Sequence, residues 1–194
     1  MGLYNQNYKF LFSHVSKCGG SSLISGLKSV TNETSITCPY HCGLDYIYKN
    51  LRLANENPKK YIKISSVRNP WDRAVSLYYH LLGNEKRILT VLDKSTQKTS
   101  KIMFTGNFDD FIRKVMTNIP QNYYENFSHV IKFEELQKGF DTICKTINVD
   151  SIELPIINYK TGRPLDYRSM YNPSSAEFIY KKNKNIVDTF GYTF

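Results

Sequence analysis

The chain contains no apolar run approaching the ~18 residues that a membrane-spanning helix requires. Its first segment, Met1 to Lys9, is polar and lacks the apolar core of a secretory signal, so the expectation is a soluble, cytoplasmic protein. Cysteine is sparse: Cys18, Cys38, Cys42 and Cys144 are the four in 194 residues. In a chain of this length with no secretory signal they read as free thiols, not as a disulfide framework. Internal repeats are absent, which removes solenoids and propellers. No block of basic residues forms a nucleic-acid arm, so no nucleic-acid partner is expected. The string Gly-Lys-Ser/Thr that closes a Walker A loop is missing as well.

What is present suits one globular domain over residues 1–194. A hydrophobic fraction of 41% and a charged fraction of 22% are enough for a core that needs neither metal nor disulfide. Lys and Arg number 26 against 17 acidic residues, a net charge of +9 that favours anionic partners. Tyr8 to His14 reads as a strand that runs into a glycine turn at Lys17-Cys-Gly-Gly20. From Ser21, Leu23, Leu27 and Val30 repeat at helical spacing. Thr31 to Tyr40 reads as a loop, and Leu44, Ile47, Tyr48 and Leu51 mark a helix. Tyr61 to Val67 is a second strand, and Pro70 opens a helix to about Leu82. Residues 85–106, rich in Lys, Ser and Thr, read as a mobile region or a substrate lid. A helix around Phe108 to Val115, a strand at His129 to Phe133, a helix from Glu134 to Ile147 and a last helix from Pro173 complete the pattern. Strands alternating with helices predict an α/β fold with a central parallel sheet covered on both faces.

Two segments carry chemistry. In His14-Val-Ser-Lys-Cys-Gly-Gly-Ser-Ser-Leu23, a strand, a glycine pair and a helix start together make an anion site. Backbone amides and the helix terminus supply partial positive charge there, Lys17 a full charge, and Ser21 and Ser22 hydroxyl donors. The Cys18 thiol, beside Lys17 and near that terminus, is expected to be more nucleophilic than Cys144. In Ser65 to Tyr78, Arg68 sits at a strand end, where a parallel sheet places its ligand crevice. Arg73 and Ser76 follow three apart on the helix, one face of it offering a guanidinium and a hydroxyl.

Together, Ser16-Lys-Cys-Gly-Gly-Ser-Ser22 and Val67-Arg-Asn-Pro-Trp-Asp-Arg-Ala-Val-Ser-Leu-Tyr78 resemble the two donor-binding motifs of the carbohydrate-type sulfotransferases. The likeness continues through Ile131 to Leu136, Asn158 to Tyr171 and Phe190 to Phe194. It implies a three-layer α/β sandwich of the P-loop-kinase-like sulfotransferase type. It also implies 3′-phosphoadenosine 5′-phosphosulfate (PAPS) as donor and adenosine 3′,5′-bisphosphate as product. By matching positions, Lys17, Cys18 (through its backbone), Gly19, Gly20, Ser21 and Ser22 would hold the 5′ end of the donor. Arg68 and Ser76 would hold the 3′-phosphate, with Arg163 in a loop that closes over the nucleotide. Cys18, Ser21 and Ser16 depart from the threonines and proline common at those positions in the family.

The acceptor implied is a hydroxyl, on a carbohydrate by the same resemblance. A hydroxyl needs a base of near-neutral pKa. The resemblance nominates His41, ahead of the Leu44 helix, with His14 in reserve and a solvated loop histidine as the plain alternative. Cys38, His41 and Cys42 could instead be metal ligands, but no complementary pair follows at zinc spacing, and no metal is expected. Lys160 and Arg168 share the Arg163 loop, and Glu134 and Glu135 could wall an acceptor or merely complement a helix dipole. The alternatives are a P-loop-type kinase acting on a small molecule and a non-catalytic binder of anionic glycans or nucleic acid.

Overall fold

The structure is a computed structural model that describes residues 2–38, 44–82, 88–92, 99–103, 106–115, 123–157 and 162–194. The chain falls into two compact units: Met1–Arg68 with Asn122–Tyr159, and Asn69–Gln121 with Lys160–Phe194. Among the described residues, no helix is long and apolar enough to cross a membrane.

The first unit is built on a five-stranded sheet. Its strands are β1 (Gly2–Asn5), β2 (Phe10–Ser13), β3 (Ile36–Cys38) and β4 (Ile62–Val67), followed after two intervening strands by β7 (His129–Lys132). The order is β3-β1-β2-β4-β7. β2, β4 and β7 run parallel, with Phe12 opposite Ile64 and Ser66 opposite Ile131, as the strand–helix alternation requires. β1 adds antiparallel to β2, and β3 antiparallel to β1. The sheet is therefore mostly, not wholly, parallel. β1 falls in the segment that reads as merely polar, and β3 in a segment that reads as loop. Only Leu3 and Tyr4 in β1 are large and apolar, too few for a strand signal, yet they point to opposite faces and both are buried. Asn5 shapes the return to β2, its Oδ1 accepting from the amides of Asn7 (2.9 Å) and Tyr8 (3.0 Å).

Helices cover both faces of this sheet. α1 (Gly20–Val30) and α5 (Leu136–Thr146) bury Leu23, Leu27, Phe140 and Ile143 against Phe10, Phe12 and Ile64. α2 (Leu44–Leu53) packs Ile47 and Leu51 on the opposite side, against Tyr4 and Leu11. The alternation of Phe10 and Phe12 with Leu11 is the period-two pattern of a strand buried on two faces.

The second unit is helical at its core. α3 (Pro70–Leu82), α4 (Phe108–Val115) and α6 (Pro173–Phe190) enclose Trp71, Tyr78, Phe108, Phe111 and Ile179. It also contains an antiparallel pair, β5 (Ile88–Leu92) with β6 (Thr99–Met103), in register from Ile88 opposite Met103 to Leu92 opposite Thr99. That pair occupies the stretch whose composition suggests no regular structure.

Candidate functional site

β2 delivers the chain into a tight turn at the C-terminal end of the parallel strands. The amide of Cys18 donates to the Val15 carbonyl at 3.3 Å, and Lys17 is left-handed, with φ 66°. That conformation costs a non-glycine residue about 1–2 kcal/mol, so something must hold it. Gly19 (φ 77°) is the N-cap of α1 and has no side chain with which to cap the first amides of the helix. The two glycines serve different ends. Gly19 supplies the left-handed turn, whereas Gly20 admits the ring of His14, whose Cδ2 would lie 1.8 Å from a Cβ placed there. The Ser22 hydroxyl is buried and accepts from the Ile157 amide at 3.4 Å, leaving its own proton to donate.

The Cys18 side chain is packed inside this turn. Its exposure is 0%, and its Sγ donates to the Ser16 carbonyl at 3.7 Å. The sulfur is a packed element of the turn, so the electropositive setting does not make it accessible. Cys144 is buried too, and burial pushes its thiol pKa up.

Arg68 leaves the end of β4 and reaches the same turn. One of its guanidinium nitrogens donates to the Lys17 carbonyl at 3.1 Å. The guanidinium carbon lies 3.8 Å from the centroid of the Phe133 ring. Beneath them the strand ends are joined by hydroxyls, with Ser65 donating to the Ser13 carbonyl (3.0 Å) and Tyr124 to the Ser66 carbonyl (3.2 Å). Tyr123 shares a 2.9 Å bond with the Ser13 hydroxyl. The glycine turn and Arg68 are thus brought together, as the strand-end reading expects. Phe133 and Tyr123 were not legible as site residues, because no pattern separates them from the chain's other aromatics.

In the second unit, Asn69 begins α3. Its Oδ1 accepts from the amides of Trp71 (3.0 Å) and Asp72 (3.4 Å), while its side-chain amide donates to the Thr193 carbonyl (3.1 Å) and the Tyr167 hydroxyl (3.2 Å). Ser76 lies on α3, half-buried, and Arg73 is buried. Arg163 is ion-paired with Asp72. The Asp72 carboxylate thus holds its guanidinium, which a freely solvated loop charge would not show. Tyr171 donates to the Trp71 carbonyl at 2.8 Å, and burial, above all else, drives its hydroxyl pKa far up.

A family model for the sulfotransferases matches residues 3–192. The chain belongs to the sulfotransferase family. No curated protein and no solved structure gives a match. Membership makes this a transferase domain with sulfuryl transfer as its general chemistry, acting between a donor and an acceptor. The mixed α/β architecture, with helices flanking a mostly parallel sheet, agrees with it.

Other residues singled out from a sulfotransferase's sequence are distributed as follows. His41, Cys42 and Lys160 lie outside the described residues. His14 is half-buried against Gly20. Glu134 and Glu135 are exposed at the start of α5, with Glu135 pairing with Lys138 at 3.6 Å. Arg168 is exposed, paired with Asp166 at 3.4 Å and stacked over Tyr167 at 4.7 Å. Among the described residues, no three His, Cys, Asp or Glu side chains are grouped as metal ligands.

Proposed function

We propose that this sulfotransferase takes its sulfuryl group from PAPS and delivers it to a hydroxyl, with a carbohydrate as the acceptor. The observation that carries the reading is the meeting of the glycine turn with Arg68 at the C-terminal end of β2 and β4. A left-handed glycine opens a helix whose N-cap offers no side chain, beside a lysine and a buried arginine; this donor set suits a phosphate-bearing anion. On this reading the sheet and turn are of the P-loop-kinase-like type, with Lys17 ahead of the glycines.

Lys17, the backbone of Cys18, Gly19 and Gly20, and the hydroxyls of Ser21 and Ser22 would hold the 5′ end. By motif position, Arg68 and Ser76 would take the 3′-phosphate. Arg163 would join them by exchanging the Asp72 carboxylate for a phosphate oxygen. The donor supplies an activated sulfuryl group. The Lys17 ammonium and the amides of the turn meet the negative charge that develops on the departing phosphate, where fixed donors act without reorganisation. His41 takes the proton of the acceptor hydroxyl.

Calorimetric titration tests the donor. Adenosine 3′,5′-bisphosphate should bind about ten- to a hundredfold more tightly than 5′-AMP or ADP, since the 3′-phosphate adds charge-assisted hydrogen bonds. Equal affinities would refute the assignment. Turnover should survive a metal chelator, whereas a kinase would lose it. His41→Ala should leave nucleotide affinity intact and lower turnover by about two to four orders of magnitude. If His41→Ala keeps full activity and His14→Ala does not, the base is His14.

A further inference from the structure

Arg68 is proposed as a ligand of the 3′-phosphate, yet it also holds the Lys17 carbonyl in the turn that would take the other end of the donor. We propose that Arg68 and Phe133 are positioning residues: together they hold the Lys17–Gly20 turn in its left-handed form, so that the arginine shapes the 5′-binding loop itself. The proposal rests on the donor reading only for what the loop binds; the brace stands on contacts within one unit.

Three contacts converge. Lys17 has φ 66°, and its carbonyl accepts from the Arg68 guanidinium at 3.1 Å. The guanidinium lies over the Phe133 ring at 3.8 Å, which fixes its plane and so the direction of that donor. The same ring forms a wall of Gly19: a Cβ at Gly19 would lie 3.0 Å from Phe133 Cδ2. Phe133 therefore touches the turn directly and also through Arg68. Arg68 is 5% exposed, so water does not compete freely for its donors. A lysine at this position could carry the charge but could neither stack flat on the ring nor keep a planar fork.

A residue that served only the 3′-phosphate would matter only to ligands that possess one. 5′-AMP has none. We would titrate 5′-AMP and adenosine 3′,5′-bisphosphate into the wild type, Arg68→Lys and Phe133→Leu. Both variants should lose about tenfold in 5′-AMP affinity, the order of one well-placed hydrogen bond, and Phe133→Leu should lose the same factor for both nucleotides. Unchanged 5′-AMP affinity in both variants overturns the proposal.

Hydrogen exchange on the ligand-free protein gives an independent reading. The amides of residues 17–21 should exchange about tenfold faster in Phe133→Leu, while those of β4 and α5 keep their wild-type rates. Unchanged exchange in the turn overturns the brace, even with altered affinity. So does faster exchange throughout the unit, which would mean general destabilisation. A wild type that binds neither nucleotide sinks the donor reading, and the exchange rates still decide the brace.

Discussion

Gly19 and Gly20 are adjacent and look interchangeable in sequence, but they answer to different constraints, one of backbone angle and one of space. Gly20→Ala would drive a methyl into the His14 ring, so that ring must leave its place or the first turn of α1 must shift. The expected cost is about 1–3 kcal/mol, the usual range for overpacking, with nucleotide binding weakened alongside; urea denaturation and titration would measure the two. Cysteine labelling makes a second residue-scale prediction. With Cys18 and Cys144 both buried, iodoacetamide should modify neither in the native protein and both in denaturant, as peptide mapping would show. Rapid native labelling of Cys18 would mean that the turn opens. The sequence puts Cys18 beside Lys17 at the start of a helix but could not give its solvent access, which depends on what packs over it. Arg163 teaches the same lesson, since its partner Asp72 is distant in sequence and nothing local joins them.

At the scale of elements, long periodic segments were legible and short sheet partners were not. The α3 helix was readable from Pro70 and its apolar face, but the cap that fixes its start is Asn69, which also holds the Thr193 carbonyl and the Tyr167 hydroxyl. Asn69→Ala should therefore cost more than a cap alone, about 2 kcal/mol or more, seen as a lower denaturation midpoint. Asn69→Asp would keep the cap acceptor and lose the donated bonds, and should fall between the two. β2 was readable because burial on both faces demands a run of apolar residues, and β4 and β7 because they carry the β-branched residues Ile62, Ile64 and Val67, and Val130 and Ile131. β1 and β3 are four and three residues long, and each is a strand because a neighbour offers an edge to pair with. The β5–β6 pair is likewise made by cross-strand pairing, which a composition rich in Lys, Ser and Thr does not announce.

Over the whole molecule, ionisable groups set the pH range of stability. Hydrogen bonds from Lys9 hold the Glu56 carboxyl below its ordinary pKa, and Ser151 followed by Gln137 does the same for Asp141. A carboxyl depressed on folding stabilises the native state above its unfolded pKa, about 4, and that contribution is lost as pH falls through the folded value. On the alkaline side, burial, with Glu56 second, pushes the Tyr61 hydroxyl up to about 12. A raised group has its stabilising effect intact below the unfolded pKa of about 10, so stability should decline as pH rises from there toward the folded value. Tyr61→Phe should flatten that alkaline decline, as denaturation midpoints across pH would show. The α/β class, the three parallel strands, the main helices and the strand–turn–helix around Lys17 to Ser22 were legible in the chain alone, because burial periodicity and glycine turns are local properties. It took the packed fold to show that Arg68 donates to the Lys17 carbonyl and lies over the Phe133 ring, that Asp72 pairs with Arg163 and that Cys18 is buried. The two arginine contacts join residues far apart in the chain, and the burial of Cys18 depends on what packs over it; both depend on where the sheet and its loops place side chains.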